Sequence, residues 1–161
     1  MERVNDLQKE SFEQKSRRLN EELLNVGPNE LAAFLERHRE DLITSPRPFA
    51  DYMRMKFREK GILQQHVFLA ADLSENYGYK LIAEEKHTRQ RDTILRLCLA
   101  ARFRPEEVQE ALILCGMAPL HGRFPRDAVL MAAIRNGVSD LREVNALLRR
   151  CGQAPLVKDY E

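Results

Sequence analysis

The chain has 161 residues and a formal net charge of +1, with 43% hydrophobic and 32% charged residues. This length suits one domain of ordinary size, or a compact domain with a helical arm, and excludes most two-domain cofactor enzymes. The aliphatic content is too high for a disordered chain, and the near-neutral charge excludes a global field that would draw the protein onto nucleic acid or an acidic membrane.

The cysteines and the first residues indicate the cellular compartment. Three cysteines, an odd number without CxxC spacing, argue against a disulfide framework and against a Cys-rich zinc module. The first ten residues are charged where a signal peptide is apolar, and no stretch approaches the ~18 apolar residues that span a bilayer. We therefore expect a cytoplasmic protein without membrane contact.

The N-terminal part is predicted to hold two helices. Apolar residues on a highly charged background predict a weakly amphipathic helix over 3–24, which could serve as an arm or a dimer contact. One face of a second helix, which ends at the proline-bearing segment 44–48, is marked by Leu31, Leu35, His38 and Leu42. We place the main boundary there, so that residues 1–46 form an N-terminal helical extension.

The middle of the chain is predicted to be helical throughout. Apolar residues at steps of three and four predict a helix that Gly61 closes, and three further helices follow at about 64–71, 74–84 and 91–102. No segment alternates with period two for long enough to suggest a strand. The predicted fold class is therefore all-α, with a central domain at 47–103.

The C-terminal part contains an internal repeat. The segment RDTILRLCLAARFRPEEVQEALILCGMAPL at 91–120 recurs as RDAVLMAAIRNGVSDLREVNALLRRCGQAPL at 126–156, with an offset of 35 and then 36 after one inserted residue. Each copy predicts a helical hairpin that ends at a Cys-Gly pair. We assign residues 104–161 to a region of repeated helical hairpins, whose first copy already begins at residue 91.

Sequence features that carry chemistry are missing. The chain has no GxSxG, GxxxxGK[ST] or GxGxxG motif, and its histidines show neither HxxxH nor HExxH spacing. Cys115 and Cys151 occupy equivalent repeat positions, but no second ligand lies near either, so we interpret both, and also Cys98, as small buried apolar residues. We expect no enzyme activity, no catalytic residues, no metal and no cofactor.

The segment GILQQHVFLAADLSENYGYKLIAEEKH at 61–87 has helix-turn-helix spacing. It predicts a short helix, a tight break at Asp72–Leu73, and a second helix for which Ser74 is a good N-cap. This segment resembles the lambda-repressor-like, or XRE-type, DNA-binding domain, whose pattern runs Gly-Leu-Thr-Gln, a helix, Gly-Val-Ser and then the recognition helix. The positions in step with that pattern are Gly61, Gln64, Val67, Leu73, Ser74 and Leu81.

Four positions depart from that pattern. Phe68 stands where the family usually has alanine, Asp72 where it has the turn glycine, Gly78 where it has an aliphatic residue, and Ile82 where it has glutamate. The resemblance covers about residues 48–103. With the KHTRQRD loop and the APL-ending repeat, the longer run also resembles a group of uncharacterised bacterial XRE-like proteins, which implies a fold but no established target.

The charge is distributed unevenly along the chain. Residues 1–46 hold 7 basic and 10 acidic residues, a net −3, whereas residues 47–102 hold 11 and 7, a net +4. Residues 103–161 hold 8 of each sign. The positive excess therefore coincides with the helix-turn-helix segment, where neutralisation of phosphates would require it.

A set of candidate DNA contacts follows from this placement. Asn76, Tyr79 and Lys80 are spaced i, i+3 and i+4, so they share one helix face that could enter the major groove, although Glu75 beside them would repel phosphate. The resemblance places Gln64 at a phosphate-contacting position and Ser74 at the start of the recognition helix. The predicted backbone-positioning contacts are Lys86, His87, Arg89, Gln90 and Arg91.

Two functions remain open at this point. The first is sequence-specific binding of double-stranded DNA by a transcriptional regulator, with a homodimer reading two half-sites through the arm or the repeats. The second is a non-enzymatic interaction adaptor, in which the helix-turn-helix is inherited scaffold and the N-terminal helices or C-terminal repeats bind a protein partner. Measuring the binding of duplex DNA at low salt distinguishes the two functions, because only the first requires affinity for duplexes.

Overall fold

The computed structural model describes residues 10–157, and within them it contains helices and no strand, so the predicted all-α class is confirmed. The chain divides into two compact units, residues 1–44 and 45–161. No helix in the described part is both long and apolar enough to cross a membrane. The helices are α1 (Phe12–Leu23), α2 (Leu31–Arg37), α3 (Pro48–Lys60), α4 (Gln64–Ala70), α5 (Glu75–Ile82), α6 (Arg91–Ala100), α7 (Pro105–Leu114), α8 (Pro125–Arg135) and α9 (Leu141–Arg150).

The first unit contains α1, a short 3-10 turn and α2. Ser11 caps α1 because its hydroxyl accepts a hydrogen bond from the N–H of Gln14, whose side chain accepts one from the N–H of Ser11. The part of the predicted first helix before residue 10 lies outside the described residues. α2 ends at Arg37, earlier than the predicted end at segment 44–48, because His38 leaves the helical backbone with φ −104° and ψ 16°.

The second unit has one apolar core that runs from α3 to the segment after α9. The repeat helices contribute to it together with the helices of the predicted central domain, so one continuous core joins residues on both sides of position 103. The largest fully buried apolar side chains are Met53, Val67, Phe68, Ile94, Leu95, Leu97, Val108, Leu112, Leu130, Val144 and Leu148.

The contact between α4 and α5 depends on an exchange of volume. The Phe68 ring of α4 is fully buried, and a Cβ atom built at Gly78 of α5 would lie only 2.4 Å from its Cδ1 atom. The ring thus fills the space that a side chain at position 78 would need. These two departures from the family pattern compensate each other, because the core is close-packed and cannot hold both side chains.

The two repeats form hairpins, α6–α7 and α8–α9, as predicted, and they are held together by a reciprocal pair of ion contacts. The Arg91 guanidinium of the first repeat donates to the Asp127 carboxylate of the second, and Arg126 of the second donates to Asp92 of the first at 2.7 and 2.8 Å. Both carboxylates are buried. We call these four residues the reciprocal clasp; they are the repeated Arg-Asp dipeptides.

The clasp also holds the chain that follows each hairpin. Arg91 donates to the carbonyl oxygen of Ala118 at 3.2 Å, and Arg126 donates to that of Ala154 at 3.0 Å. These alanines begin the two APL tripeptides. Each repeated arginine therefore bonds one repeated aspartate and one repeated alanine carbonyl, so the sequence repeat is also a repeat of contacts.

The cysteines only partly match their interpretation as buried residues. Cys98 is buried and Cys115 partly so, and burial raises the pKa of the Cys115 thiol to about 12. Cys151 is exposed, so for it the interpretation is wrong. The difference arises because α7 packs against both α3 and α8, whereas α9 packs mainly against α8 and, less extensively, against α6.

Candidate nucleic-acid interface

A four-residue turn, 71–74, joins α4 to α5. Asp72 has a φ of 55°, a left-handed conformation that aspartate tolerates better than most residues, and it stands where the family pattern has glycine. The Ser74 hydroxyl accepts a hydrogen bond from the N–H of Tyr77 at 3.3 Å. The predicted N-cap is therefore present, and it fixes where α5 begins.

One face of α5 is exposed and the opposite face is buried. Asn76, Tyr79 and Lys80 are exposed, as their spacing predicts, while Tyr77 and Leu81 are buried in the core. Tyr79 is 42% exposed and packs edge-on against the Phe68 ring, with centroids 4.9 Å apart. The side chains of Asn76 and Lys80 have no hydrogen bond or ion pair with any residue between 10 and 157, so their polar groups are available.

Gln64, the first residue of α4, lies next to this face. It lines a cavity of about 260 Å³ together with Tyr79, so the structure brings these two predicted contacts together. Arg54 of α3 and Glu85 line the same cavity. Sequence reasoning missed Arg54, since its only signal was the general excess of basic residues in 47–102.

The loop after α5 contacts α3, the residue before α3, and α5 itself. Glu84 has a φ of 55°, and its carboxylate accepts a hydrogen bond from the N–H of Ala50 at 3.0 Å. Arg47 donates to the carbonyl oxygen of Ala83 at 3.4 Å, which places a second unpredicted cation beside the loop. The Lys86 ammonium lies 4.8 Å from the centre of the Tyr77 ring, a cation–π distance. Two hydrogen bonds and one cation–π contact thus hold the loop in place.

The remaining predicted loop contacts differ in availability. His87 and Arg89 are exposed, and their side chains form no ion pair with the described residues. Gln90 is half-buried, and its backbone N–H donates to the Thr88 hydroxyl at 3.0 Å. Arg91 belongs to the reciprocal clasp, so it is the one predicted contact whose charge is already paired within the described part of the chain.

Within the reciprocal clasp, the Asp92 carboxylate is stabilised in its ionised form. Burial alone would raise the pKa of Asp92, but the hydrogen bonds from the Arg126 guanidinium and from the N–H of Val157 outweigh burial and hold that pKa below its usual value. Asp92 is therefore ionised at neutral pH. An arginine held in such a geometry is a structural group and contributes little to a phosphate surface.

The exposed charges of α5 and the loop after it are nearly balanced. Lys80, Lys86 and Arg89 are exposed cations, and Glu75 and Glu85 are exposed carboxylates. The excess is thus one positive charge among these five residues.

Comparisons with protein-family models, with curated proteins and with solved structures found no match. Within residues 10–157, no group of three or more His, Cys, Asp or Glu side chains is arranged to hold a metal ion. The features that bear on function are therefore the geometry of the α5 face and the charges around it.

Proposed function

We propose that the protein binds double-stranded DNA in a sequence-specific manner, as a transcriptional regulator of the XRE type, with α5 as the recognition helix. The observation that carries this proposal is the exposed face of α5, where Asn76 and Lys80 have free polar groups while the opposite face is fixed in the core. A helix that is rigid on one side and unpaired on the other suits readout of base edges in the major groove.

The residues of this face have distinct expected roles. Asn76 can form two hydrogen bonds with adenine, and Lys80 can donate to guanine or to a phosphate. The proposed contacts with the DNA backbone are Gln64, Lys86, His87, Arg89 and Gln90. To these we add Arg47 and Arg54, which lie beside the same face and loop. Arg91 is left out of this set because its guanidinium is held by Asp127.

The proposal is tested first by selecting bound duplexes from a random library with purified full-length protein. The selected site is then titrated with salt, where each neutralised phosphate contributes about −0.9 to the slope of log K against log salt. Arg89→Gln should make the slope about one phosphate shallower. Asn76→Ala should leave the slope unchanged and relax preference at one base pair, with a loss of about 1–3 kcal/mol at that position.

A matched control is Arg149→Gln, which removes an exposed arginine from the last turn of α9 without touching the α5 face. It should change neither the slope nor the selected site. If neither random nor genomic duplexes bind at low salt, the proposal is lost.

The second candidate function, protein binding, is favoured by the exposed apolar side chains of the first unit. Leu24 is 84% exposed, and Leu35 and Ile43 are more than half exposed. Large apolar side chains this exposed are common at interaction sites when they form a patch. A homodimer through this unit would be detected by light scattering at increasing concentration, and Leu24→Ser with Leu35→Ser should return it to a monomer.

A further inference from the structure

A groove lined by arginines lies in the second unit, outside the α5 face. It consists of two adjoining cavities of about 910 and 330 Å³, which share Leu99, Arg102 and Ser139. We call it the arginine groove; its arginines are Arg96, Arg102, Arg104, Arg135 and Arg142.

The arginines of the groove fall into two groups. Arg96 is structural, because it is buried and donates to the carbonyl oxygens of Ala71 at 3.0 Å and Leu156 at 3.3 Å. Arg104 pairs with Glu106 and Glu107.

The other three, Arg102, Arg135 and Arg142, are exposed, and their guanidinium groups have no ion pair with any of the described residues. Three cations without an ion pair therefore line one concave surface, on which two carboxylates, those of Asp72 and Asp140, also lie.

Arg102 also occupies an unfavourable backbone position. Its φ is 56°, a left-handed backbone conformation that residues other than glycine rarely adopt. The equivalent position in the second repeat is Gly137, with a φ of 74°. The first repeat thus carries an arginine where the fold favours glycine, which indicates that the side chain itself has a use at this place.

The groove and the surface proposed to contact DNA consist of different residues. The groove lies against the last residues of α4 and α6 and the first residues of α9. It adjoins the start of α5 at the 71–74 turn, but none of the predicted DNA contacts lines either cavity.

The remaining lining residues narrow the chemistry of that molecule. Asp72 pairs with Arg96, and the Asn145 oxygen accepts from the N–H of Leu156. Asp140 caps α9 with one carboxylate oxygen, which leaves its other oxygen to accept from a hydroxyl or amino group, and Leu69, 80% exposed, offers an apolar surface. A cavity of about 910 Å³ is within the usual range for small-molecule sites.

An anion that also carries hydroxyl groups and a flat apolar ring satisfies all three features. We propose that the arginine groove binds a nucleoside phosphate, with its phosphates at Arg102 and Arg142. This site does not depend on the proposed DNA binding.

The test uses isothermal titration calorimetry of the full-length protein with ADP, adenosine and inorganic pyrophosphate. ADP should bind more tightly than either fragment, because only ADP can contact the arginines together with Asp140 and Leu69. Arg102→Gly should weaken ADP binding at least tenfold while leaving Tm equal or higher, since glycine relieves the left-handed backbone. Arg142→Gln should also weaken binding, and Arg149→Gln, outside the groove, should not.

Three results would overturn the proposal. One is no heat of binding with ADP at millimolar concentration. Another is ADP affinity that Arg102→Gly and Arg142→Gln leave unchanged, which would place the ligand elsewhere. The third is pyrophosphate binding as tight as ADP binding, which would show that the groove does not recognise the nucleoside part of the ligand.

Discussion

The exchange of volume between Phe68 and Gly78 leads to a prediction for Gly78→Ala. In an open helix this substitution stabilises the fold by about 1 kcal/mol, because alanine has the higher helix propensity. Here the new methyl group would lie 2.4, 2.5 and 2.7 Å from three atoms of the Phe68 ring. Favourable contacts between carbon atoms are about 3.5–4.0 Å, so the ring must move by roughly 1 Å.

The surroundings of the ring decide the size of the effect. Phe68 is fully buried within the core cluster, and the Tyr79 ring packs edge-on against it at 4.9 Å, so the Phe68 ring has little room to shift. Overpacking of a close-packed core costs about 1–3 kcal/mol. After the propensity gain of about 1 kcal/mol is subtracted, we expect Gly78→Ala to lower the free energy of unfolding by about 1 kcal/mol.

A double-mutant cycle makes this measurable. In a Phe68→Ala background the ring is gone, so Gly78→Ala should there stabilise by about 1 kcal/mol and the coupling energy should be about 2 kcal/mol. Urea unfolding followed by circular dichroism at 222 nm gives both values. Gly122→Ala is the control, because a Cβ at Gly122 meets nothing within 4 Å. The reasoning fails if Gly78→Ala stabilises the protein equally in both backgrounds.

Three further predictions concern buried charges and thiols. Arg126→Met leaves the buried Asp92 carboxylate without its ion pair, and we expect a loss of about 3–5 kcal/mol in urea unfolding, which Asp92→Asn in the same chain should partly restore. Burial would raise the pKa of Glu107, but hydrogen bonds from Lys60, the N–H of Arg104 and Lys56 lower it to about 2. Because the pKa of Glu107 in the folded protein is lower than its ordinary value of 4.5, this stabilisation is complete above pH 4.5 and is lost as the pH falls towards 2. Acid titration of the unfolding midpoint should therefore show a steep loss in that window, by at most about 3 kcal/mol for this group, and Glu107→Gln should flatten it. In the native protein, an Ellman reaction should modify Cys151 rapidly and leave Cys98 unmodified until unfolding.

The helices were predictable from sequence because their signals are local. Ser74 caps α5, and Gly61 ends α3 in the left-handed conformation, both as the residue types predict. The end of α2 was not predictable, since Leu42 continues the apolar spacing after the backbone has already left the helix at His38. Spacing shows which residues can share a face, but it does not show where a helix stops.

The volume exchange was visible in the sequence only as two separate anomalies. Phe68 and Gly78 each depart from the family pattern, and each taken alone weakens the resemblance. Taken as a pair ten residues apart, they conserve the volume between α4 and α5. A comparison of single positions has no means of detecting such a pair.

Charge counting gave the position of the basic excess but not its use. Arg91 contributed to the +4 of residues 47–102, yet it is paired with Asp127 of the second repeat. Arg135 and Arg142 went unnoticed because residues 103–161 hold equal numbers of each sign. Whether an arginine is paired or free depends on contacts across the repeats, which the repeat alignment alone does not contain.

The reciprocal clasp determines where the chain can be cut. A fragment ending near residue 103 would contain Asp92 and Arg91 but neither Arg126 nor Asp127, so it would hold a buried carboxylate and an arginine that have both lost their partners. It would also expose the core side chains that α7, α8 and α9 cover. For expression of the second unit alone, the fragment must therefore run from about residue 45 to at least Val157, whose N–H donates to Asp92.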